Sequence, residues 1–142
     1  MRGRAAGAAL ALALAGCGGG GSRTLLADGP WQVVLRGGKA EVLHDGRVAS
    51  ARGIAVEILG PKPGQAAPNP PQVAITMRAT RPLVDAILWV DGNRLLTKGG
   101  GTATNGTIYG APSALAPGTH TAVGYARTAT AGVAVAWRFR VP

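Results

Sequence analysis

The 142-residue sequence has little of three residue classes: cysteine, acidic residues and aromatic residues. It contains one Cys, 6 Asp and Glu against 15 Lys and Arg, and 4% aromatics. A single thiol excludes a disulfide within the chain, so the folded part must be stabilised by packing. The scarcity of aromatics and the lack of a block of like charges argue against nucleic-acid binding. The excess of cations instead favours contact with anionic lipid headgroups or cell-wall polymers.

Long hydrophobic runs are also missing. The apolar run over residues 5–15 holds about eleven Ala, Leu and Gly residues, whereas a helix that spans a bilayer needs roughly 20. Arg2 and Arg4 precede this run, and the small residues Ala15 and Gly16 lie at its end, directly before Cys17. A basic start, a short apolar stretch and small residues are typical of a secretory signal peptide.

The four residues Leu14, Ala15, Gly16 and Cys17 resemble the lipobox of bacterial lipoprotein precursors. The resemblance implies a diacylglycerol thioether on Cys17, cleavage after Gly16, and acylation of the new N-terminus, for example by palmitate. A thiolate suits this alkylation, and several acyl chains together anchor a protein stably. The expected location is the cell envelope, with the protein held by lipid on the periplasmic or extracellular face of a membrane. The alternative is a soluble secreted protein whose cysteine occurs there by chance.

Four segments are predicted along the chain: a signal peptide over residues 1–16, a flexible tether over 17–30, a small β-meander over 31–52 and a β-sandwich domain over 53–142. The part of the chain after the signal has the length of one domain. Losing Arg2 and Arg4 with the signal lowers the formal net charge from +9 to +7.

The meander is predicted from two dipeptides that favour two-residue hairpin turns. Gly37-Gly38 and Asp45-Gly46 separate short runs rich in Val and Leu, and such turns need φ > 0 at both central residues. Three short strands rarely form a stable unit alone, so we expect the meander to pack against the neighbouring domain.

The second half of the chain is predicted to be an all-β, antiparallel sandwich. Period-2 alternation is clearest in 133–141, where Val133, Trp137 and Phe139 share one face while Arg138 and Arg140 face solvent. The predicted strands cover residues 54–59, 73–80, 84–90, 107–109, 119–128 and 133–141, with a short return strand starting at 95–96. Residues 84–90 are more uniformly apolar than residues 73–80, as in a strand covered on both faces. We expect a Pro-rich surface connection at 60–71 and a loose loop at 99–106.

Residues 54–142 resemble a bacterial immunoglobulin-like domain. The resemblance is carried by 60–64 with 71–75, by 84–92 and by 115–123, and it implies an immunoglobulin-like β-sandwich. The layout is also similar to the CopC-like periplasmic copper-binding proteins, which share the sandwich. That family binds copper through a histidine at the mature N-terminus and often carries Asp-Gly-His in the last hairpin. Here the mature N-terminus would be acylated Cys17, and 130–132 read Thr-Ala-Gly, so only the fold is carried over.

Candidate metal ligands are few, since His44 and His120 are the two histidines. A zinc or copper site needs three or four suitably spaced ligands, so no metal site and no cofactor are predicted. We expect His120 to pack at the start of a strand and to hydrogen-bond locally. The six acids are expected at turns or on solvated strand edges rather than as catalytic pairs: Asp28, Glu41, Asp45, Glu57, Asp85 and Asp91.

Three tryptophans could stack on sugars, but the patterning favours the core for two of them. Trp137 lies on the buried face of its strand and Trp89 in an apolar strand, which leaves Trp31 as the one expected to be exposed.

The sequence therefore predicts a cell-envelope lipoprotein that acts without catalysis, as a binding, adhesion or assembly module. Its expected partners are the membrane, through the lipid anchor, and an envelope protein or cell-wall polymer. The alternative is a periplasmic metal or small-ligand carrier of the CopC-like type.

Overall fold

The computed structural model describes residues 21–142. Twelve β-strands make up the regular structure of these residues, and no helix long and apolar enough to cross a bilayer occurs among them. The strands are β1 Ser22–Asp28, β2 Trp31–Arg36, β3 Lys39–His44, β4 Arg47–Val48, β5 Ile54–Gly60, β6 Val73–Ala79, β7 Asp85–Val90, β8 Asn93–Arg94, β9 Lys98–Gly101, β10 Asn105–Gly110, β11 Gly118–Arg127 and β12 Gly132–Val141.

The strands form three antiparallel sheets of four strands each. We call them the meander sheet (β1-β2-β3-β4), the outer sheet (β5-β6-β10-β9) and the central sheet (β12-β11-β7-β8). With β5 to β12 lettered A, B, C, C′, D, E, F and G, the last two sheets have the orders A-B-E-D and G-F-C-C′. These are the strand orders of an immunoglobulin-type sandwich. The predicted all-β, immunoglobulin-like fold is confirmed.

Tight turns connect the hairpins as the sequence predicts. Gly37 and Gly38 have φ of 58° and 81°, and Asp45 and Gly46 have φ of 52° and 79°. Positive φ at both central residues matches the right-handed twist of the flanking strands.

The central sheet is buried on both faces, which explains why residues 86–90 of β7 are all apolar. Leu88 and Val90 pack in the sandwich core, between the central and outer sheets. Ile87 and Trp89 point the opposite way and pack against the meander sheet. Three sheets are therefore stacked at β7, with the central sheet between the outer sheet and the meander sheet.

A second apolar cluster joins the meander to the sandwich. Its buried residues are Trp31, Val33 and Val42 from the meander sheet and Ile87, Trp89, Val123 and Tyr125 from the central sheet. This confirms the expectation that the meander packs on the neighbouring domain. The meander covers apolar surface of the central sheet that would otherwise face water.

The register of β12 is as predicted. Trp137, Phe139 and Val141 are buried in the sandwich core, while Arg138 and Arg140 are exposed. A shift of one residue would reverse this arrangement, so the alternation fixes the pairing of β12 with β11.

The prediction of a flexible tether over residues 17–30 is wrong from Ser22 onward, because β1 is a strand paired with β2. The register shifts between Thr24 and Leu26, so an extra residue is accommodated as a bulge. Leu25 and Leu26 are both half-buried against the cluster around Trp31. Two adjacent leucines break the apolar–polar alternation that marks a strand, so the sequence of residues 22–28 does not indicate β1.

The predicted loose loop over 99–106 is also wrong in part, because β9 pairs with β10. A Cβ on Gly99 would collide with the carbonyl oxygen of Thr107, and one on Gly101 with that of Asn105. The glycines therefore allow a close approach of two backbones. The return strand β8 lies two residues earlier than expected, at Asn93–Arg94.

The strand registers define two ends of the molecule. At the basal end lie Ser22, the connection 61–72, the turn at 91–92 and the connection 111–117. Hydrogen bonds there join Gly64 N–H to Arg138 O (2.7 Å) and Arg23 Nη1 to Asp91 O (3.5 Å).

At the loop end lie the connections 49–53, 80–84, 102–104 and 128–131. Thr80 N–H donates to Gly53 O (2.9 Å), Leu83 N–H to Ala103 O (2.7 Å) and Gly132 N–H to Ser50 O (2.9 Å). These bonds hold the four connections together.

Candidate binding cleft at the loop end

A cleft of about 420 Å³ opens between three connections of the loop end. Its walls come from the link between the meander and β5, from the β6–β7 connection and from the β11–β12 turn. The polar side chains that line it are two arginines and four hydroxyl residues: Arg52, Arg81, Ser50, Thr80, Thr128 and Thr130. No acidic side chain lines it, so the cleft is positively charged.

The floor of the cleft is fixed by Thr128, which is 2% exposed. Its backbone N–H donates to Ala131 O (2.8 Å), and its Oγ1 accepts the N–H of Ala131 (3.0 Å) and of Thr130 (3.3 Å). These bonds close the β11–β12 turn in one conformation.

Arg127 lies behind this turn and carries a third positive charge. Its Cζ is 4.9 Å from the Trp31 ring centroid, and Nη1 donates to Thr128 O (3.2 Å). The stacked guanidinium joins the meander sheet to the β11–β12 turn.

Nearby, burial raises the pKa of the Tyr125 phenol to about 12, so this ring stays neutral at physiological pH.

The side chains of Arg52 and Arg81 are exposed at the rim. A guanidinium presents a planar set of N–H donors that matches the two oxygens of a carboxylate or phosphate group. Hydroxyls beside it add single donors. The arrangement is suited to holding an anionic group, and it offers no nucleophile paired with a base.

His120 has the local structural role predicted for it, at the basal end. Its Nδ1 is 2.6 Å from Asp91 Oδ2 and its Nε2 is 2.7 Å from Ala116 O. Both neighbours are acceptors, so the ring donates to both only as an imidazolium. The hydrogen bond to Ala116 O and the one to Asp91 raise the pKa of His120 above its ordinary value of 6.5.

Asp91 is the acceptor that organises this corner. Its Oδ1 accepts the N–H of Thr121 (3.0 Å) while its Oδ2 faces His120. Asp91 also has φ of 51° in the β7–β8 turn. The carboxylate therefore fastens that turn to the start of β11.

His44 lies at the loop end, far from His120 along the sheets. Its Nδ1 is 3.6 Å from Asp45 Oδ2, and its ring centroid is 4.4 Å from that of Trp31. Across residues 21–142, no group of three or more His, Cys, Asp or Glu side chains is placed to hold a metal ion. Cys17 and Gly16 lie outside the described residues.

Two of the other acids have local partners. Glu41 Oε1 is 3.5 Å from Arg36 Nη1, and Asp85 Oδ1 accepts the N–H of Ala86 (3.0 Å). Glu57 is exposed on the outer sheet. These contacts fit the expected positions of the acids at turns and on strand edges.

The expectation that Trp31 is exposed is wrong, because it is 5% exposed and packs in the second apolar cluster. Trp89 and Trp137 are buried as expected, and Trp137 Nε1 donates to Pro61 O (2.8 Å). All three indoles have structural positions and none forms a surface platform for sugars.

Neither a protein-family model nor a curated protein matches the sequence. Among solved structures, the chain is similar to one in the crystal structure of the titin M10–obscurin-like 1 Ig complex. The sequence identity is 14% and the TM-score 0.41, over 63% of this chain and 96% of that chain. A likeness of this size carries no argument about function, and the immunoglobulin-type assignment stands on the strand orders of the two sheets.

Proposed function

We propose that the chain is a lipid-anchored, non-enzymatic binding module of the cell envelope. The observation that carries the proposal is the position of β1, which starts at Ser22 and at the basal end. A fully extended link from Cys17 to Ser22 spans at most ~18 Å. Acylation of Cys17 would therefore hold the basal end near the bilayer and leave the loop end facing away.

The loop-end cleft is the surface proposed to bind the partner. Arg52 and Arg81 at its rim suit the carboxylate or phosphate groups of an envelope protein or a cell-wall polymer. Two of the three connections that form it, β6–β7 and β11–β12, correspond to the B–C and F–G loops, which carry binding residues in the variable domains of antibodies. A module held at the other end would present this cleft outward.

The anchor is tested by a Cys17→Ser variant. Full-length protein and variant are expressed with the native signal, and the cells are separated into membrane and soluble fractions. The wild type is expected in the membrane fraction and the variant outside it. A variant that stays in the membrane fraction as fully as the wild type would contradict the lipid anchor.

The cleft is tested by an Arg52→Ala/Arg81→Ala double variant. Each guanidinium–anion hydrogen bond contributes about 1.5–3 kcal/mol, so binding to isolated cell-wall polymer or to captured envelope protein should weaken at least tenfold. Arg47→Ala/Arg78→Ala is the matched control, because these exposed arginines lie near the loop end but outside the cleft. Equal loss in both variants would show a non-specific charge effect instead.

A further inference from the structure

The basal end carries most of the positive charge of the folded part. Eight of its residues are exposed Lys or Arg: Arg23, Arg36, Lys39, Lys62, Arg94, Lys98, Arg138 and Arg140. Two acids lie at this end, and each has a partner: Glu41 is 3.5 Å from Arg36, and Asp91 is 2.6 Å from His120. Eight cations against two acids give this end a formal charge of +6.

The strand registers bring these cations together from separate parts of the chain. Arg36 and Lys39 flank the β2–β3 turn, and Lys98 faces Tyr109 near the end of β10. The guanidinium of Arg138 lies beside Gly38 of that turn, where its Nη2 would be 3.7 Å from an added Cβ. Arg23 lies against Gly92 of the β7–β8 turn. The basic surface therefore spans all three sheets.

The loop end and its surroundings have a mixed charge. Five arginines lie there, against three aspartates: Arg47, Arg52, Arg78, Arg81 and Arg127, with Asp28, Asp45 and Asp85. The formal charge is +2, and Glu57 lies between the two ends. The charge of the protein is thus polarised along the strands, towards the end at which β1 begins.

We propose that the basal end is a lipid-docking surface that binds the anionic phospholipid headgroups of the membrane holding the protein. The proposal rests on the proposed function, because acylated Cys17 would confine the basal end to within ~18 Å of the bilayer. The link thus allows the cations of the basal end to approach the headgroups. Attraction between the two extends over about one Debye length, ~8 Å at physiological ionic strength.

Lipid is favoured over a cell-wall polymer as the occupant of this surface because of the short link. A polymer would have to enter the narrow space between the basal end and the bilayer, whereas headgroups already fill it. Confinement also raises the effective concentration of the headgroups, so weak individual contacts suffice. The expected result is a domain that stands on its basal end with the strands directed away from the membrane.

The orientation can be measured on the mature lipidated protein with one introduced thiol. Acylation of Cys17 makes a new cysteine unique, either Thr97→Cys at the basal end or Ala129→Cys at the loop end, both exposed. Each is labelled with bimane and reconstituted into phosphatidylcholine vesicles containing nitroxide-headgroup lipid, with or without about 30% phosphatidylglycerol. Quenching of the basal label should rise at least twofold with phosphatidylglycerol and reverse in about 0.5 M NaCl. The loop-end label should not respond.

Two charge-reversal variants separate a basal surface from net charge. Arg94→Glu/Lys98→Glu changes the basal end from +6 to +2, and Arg47→Glu/Arg78→Glu makes the same change in net charge elsewhere. The first should remove at least half of the phosphatidylglycerol-dependent quenching, and the second should keep it, with thermal melts verifying that both fold.

Equal losses in the two variants, or no dependence on phosphatidylglycerol in the wild type, would overturn the proposal. If the fluorescence of the basal label changes with isolated cell-wall polymer but not with anionic lipid, the lipid proposal is overturned in favour of the polymer.

The same samples distinguish failure of the anchor from failure of the docking surface. Intact mass reports whether Cys17 is acylated. If it is not, the proposed function fails, and flotation of the same protein with anionic vesicles still reports whether the basal end binds lipid. If Cys17 is acylated but quenching ignores anionic lipid, the docking surface fails and the anchor stands.

Discussion

The two ends of this molecule differ in charge, in the forces that hold them and in the shape of their surfaces. The basal end concentrates exposed cations, and its connections are fastened by the His120–Asp91 pair, 2.6 Å apart. The loop end has mixed charge, is held by packing around Trp31 together with backbone hydrogen bonds between its connections, and opens into a cleft. Under the proposed function, the basal end would serve attachment and the loop end recognition, at opposite ends of the same strands.

The largest expected effect is on the packing that holds the loop end. Trp31→Ala removes a side chain that is 5% exposed and contacts the ring of His44 and the guanidinium of Arg127. We expect the free energy of unfolding to fall by about 3–5 kcal/mol, measured by urea denaturation.

Leu96→Ala is the control for this change, because Leu96 lies near the basal end and is 95% exposed. It should change stability by less than about 0.5 kcal/mol. A loss below about 1 kcal/mol in Trp31→Ala would show that the meander contributes little to the loop end.

A smaller effect is expected from the polar contacts of the basal end. His120→Gln keeps a hydrogen-bonding side chain but removes the charge that pairs with Asp91. Near pH 6 we expect a loss of about 1.5–3 kcal/mol, measured by the same denaturation. Stability equal to the wild type would mean that the imidazolium does not fasten this end.

The stabilising effect of His120 should also depend on pH. Its pKa is raised in the folded state, so the contribution is fully present below the unfolded value of 6.5. It is lost as the pH rises through the folded pKa. The difference between wild type and His120→Gln should therefore shrink as the pH rises above 6.5, in denaturation curves recorded from acidic to alkaline pH. A difference that stays constant would assign the effect to packing.

The smallest expected effect is that of added metal. His44 and His120 lie at opposite ends, each beside its own aspartate, so they cannot share an ion. Copper(II) or zinc titrated into the protein should leave the melting temperature unchanged, since only a ligand of the native state raises it. A saturable rise would favour the carrier of the CopC-like type.

The sequence predicted those features that local patterns encode. Alternation fixed the face and register of β12, and positive-φ dipeptides located the turns at 37–38 and 45–46. The mostly apolar sequence of 84–90 correctly indicated a strand covered on both sides. In each case the physical cause lies within a few consecutive residues.

The features that were missed depend on residues distant in sequence. β1 includes a bulge that turns two adjacent leucines inward, and β9 is a strand because its glycines fit against the β10 backbone. The cleft combines Arg52 and Arg81 with the turn at 128–131, and the stacking of Arg127 on Trp31 joins two sheets. No short pattern marks such contacts, since each needs the tertiary fold to exist first.

The most direct test of the whole account is the mass of the N-terminal peptide of protein purified from membranes. A lipid anchor at Cys17 predicts a peptide that begins at Cys17 and carries the added mass of a diacylglyceryl group and an N-acyl chain. A peptide that begins elsewhere, or that contains Cys17 without lipid, would contradict attachment at the basal end.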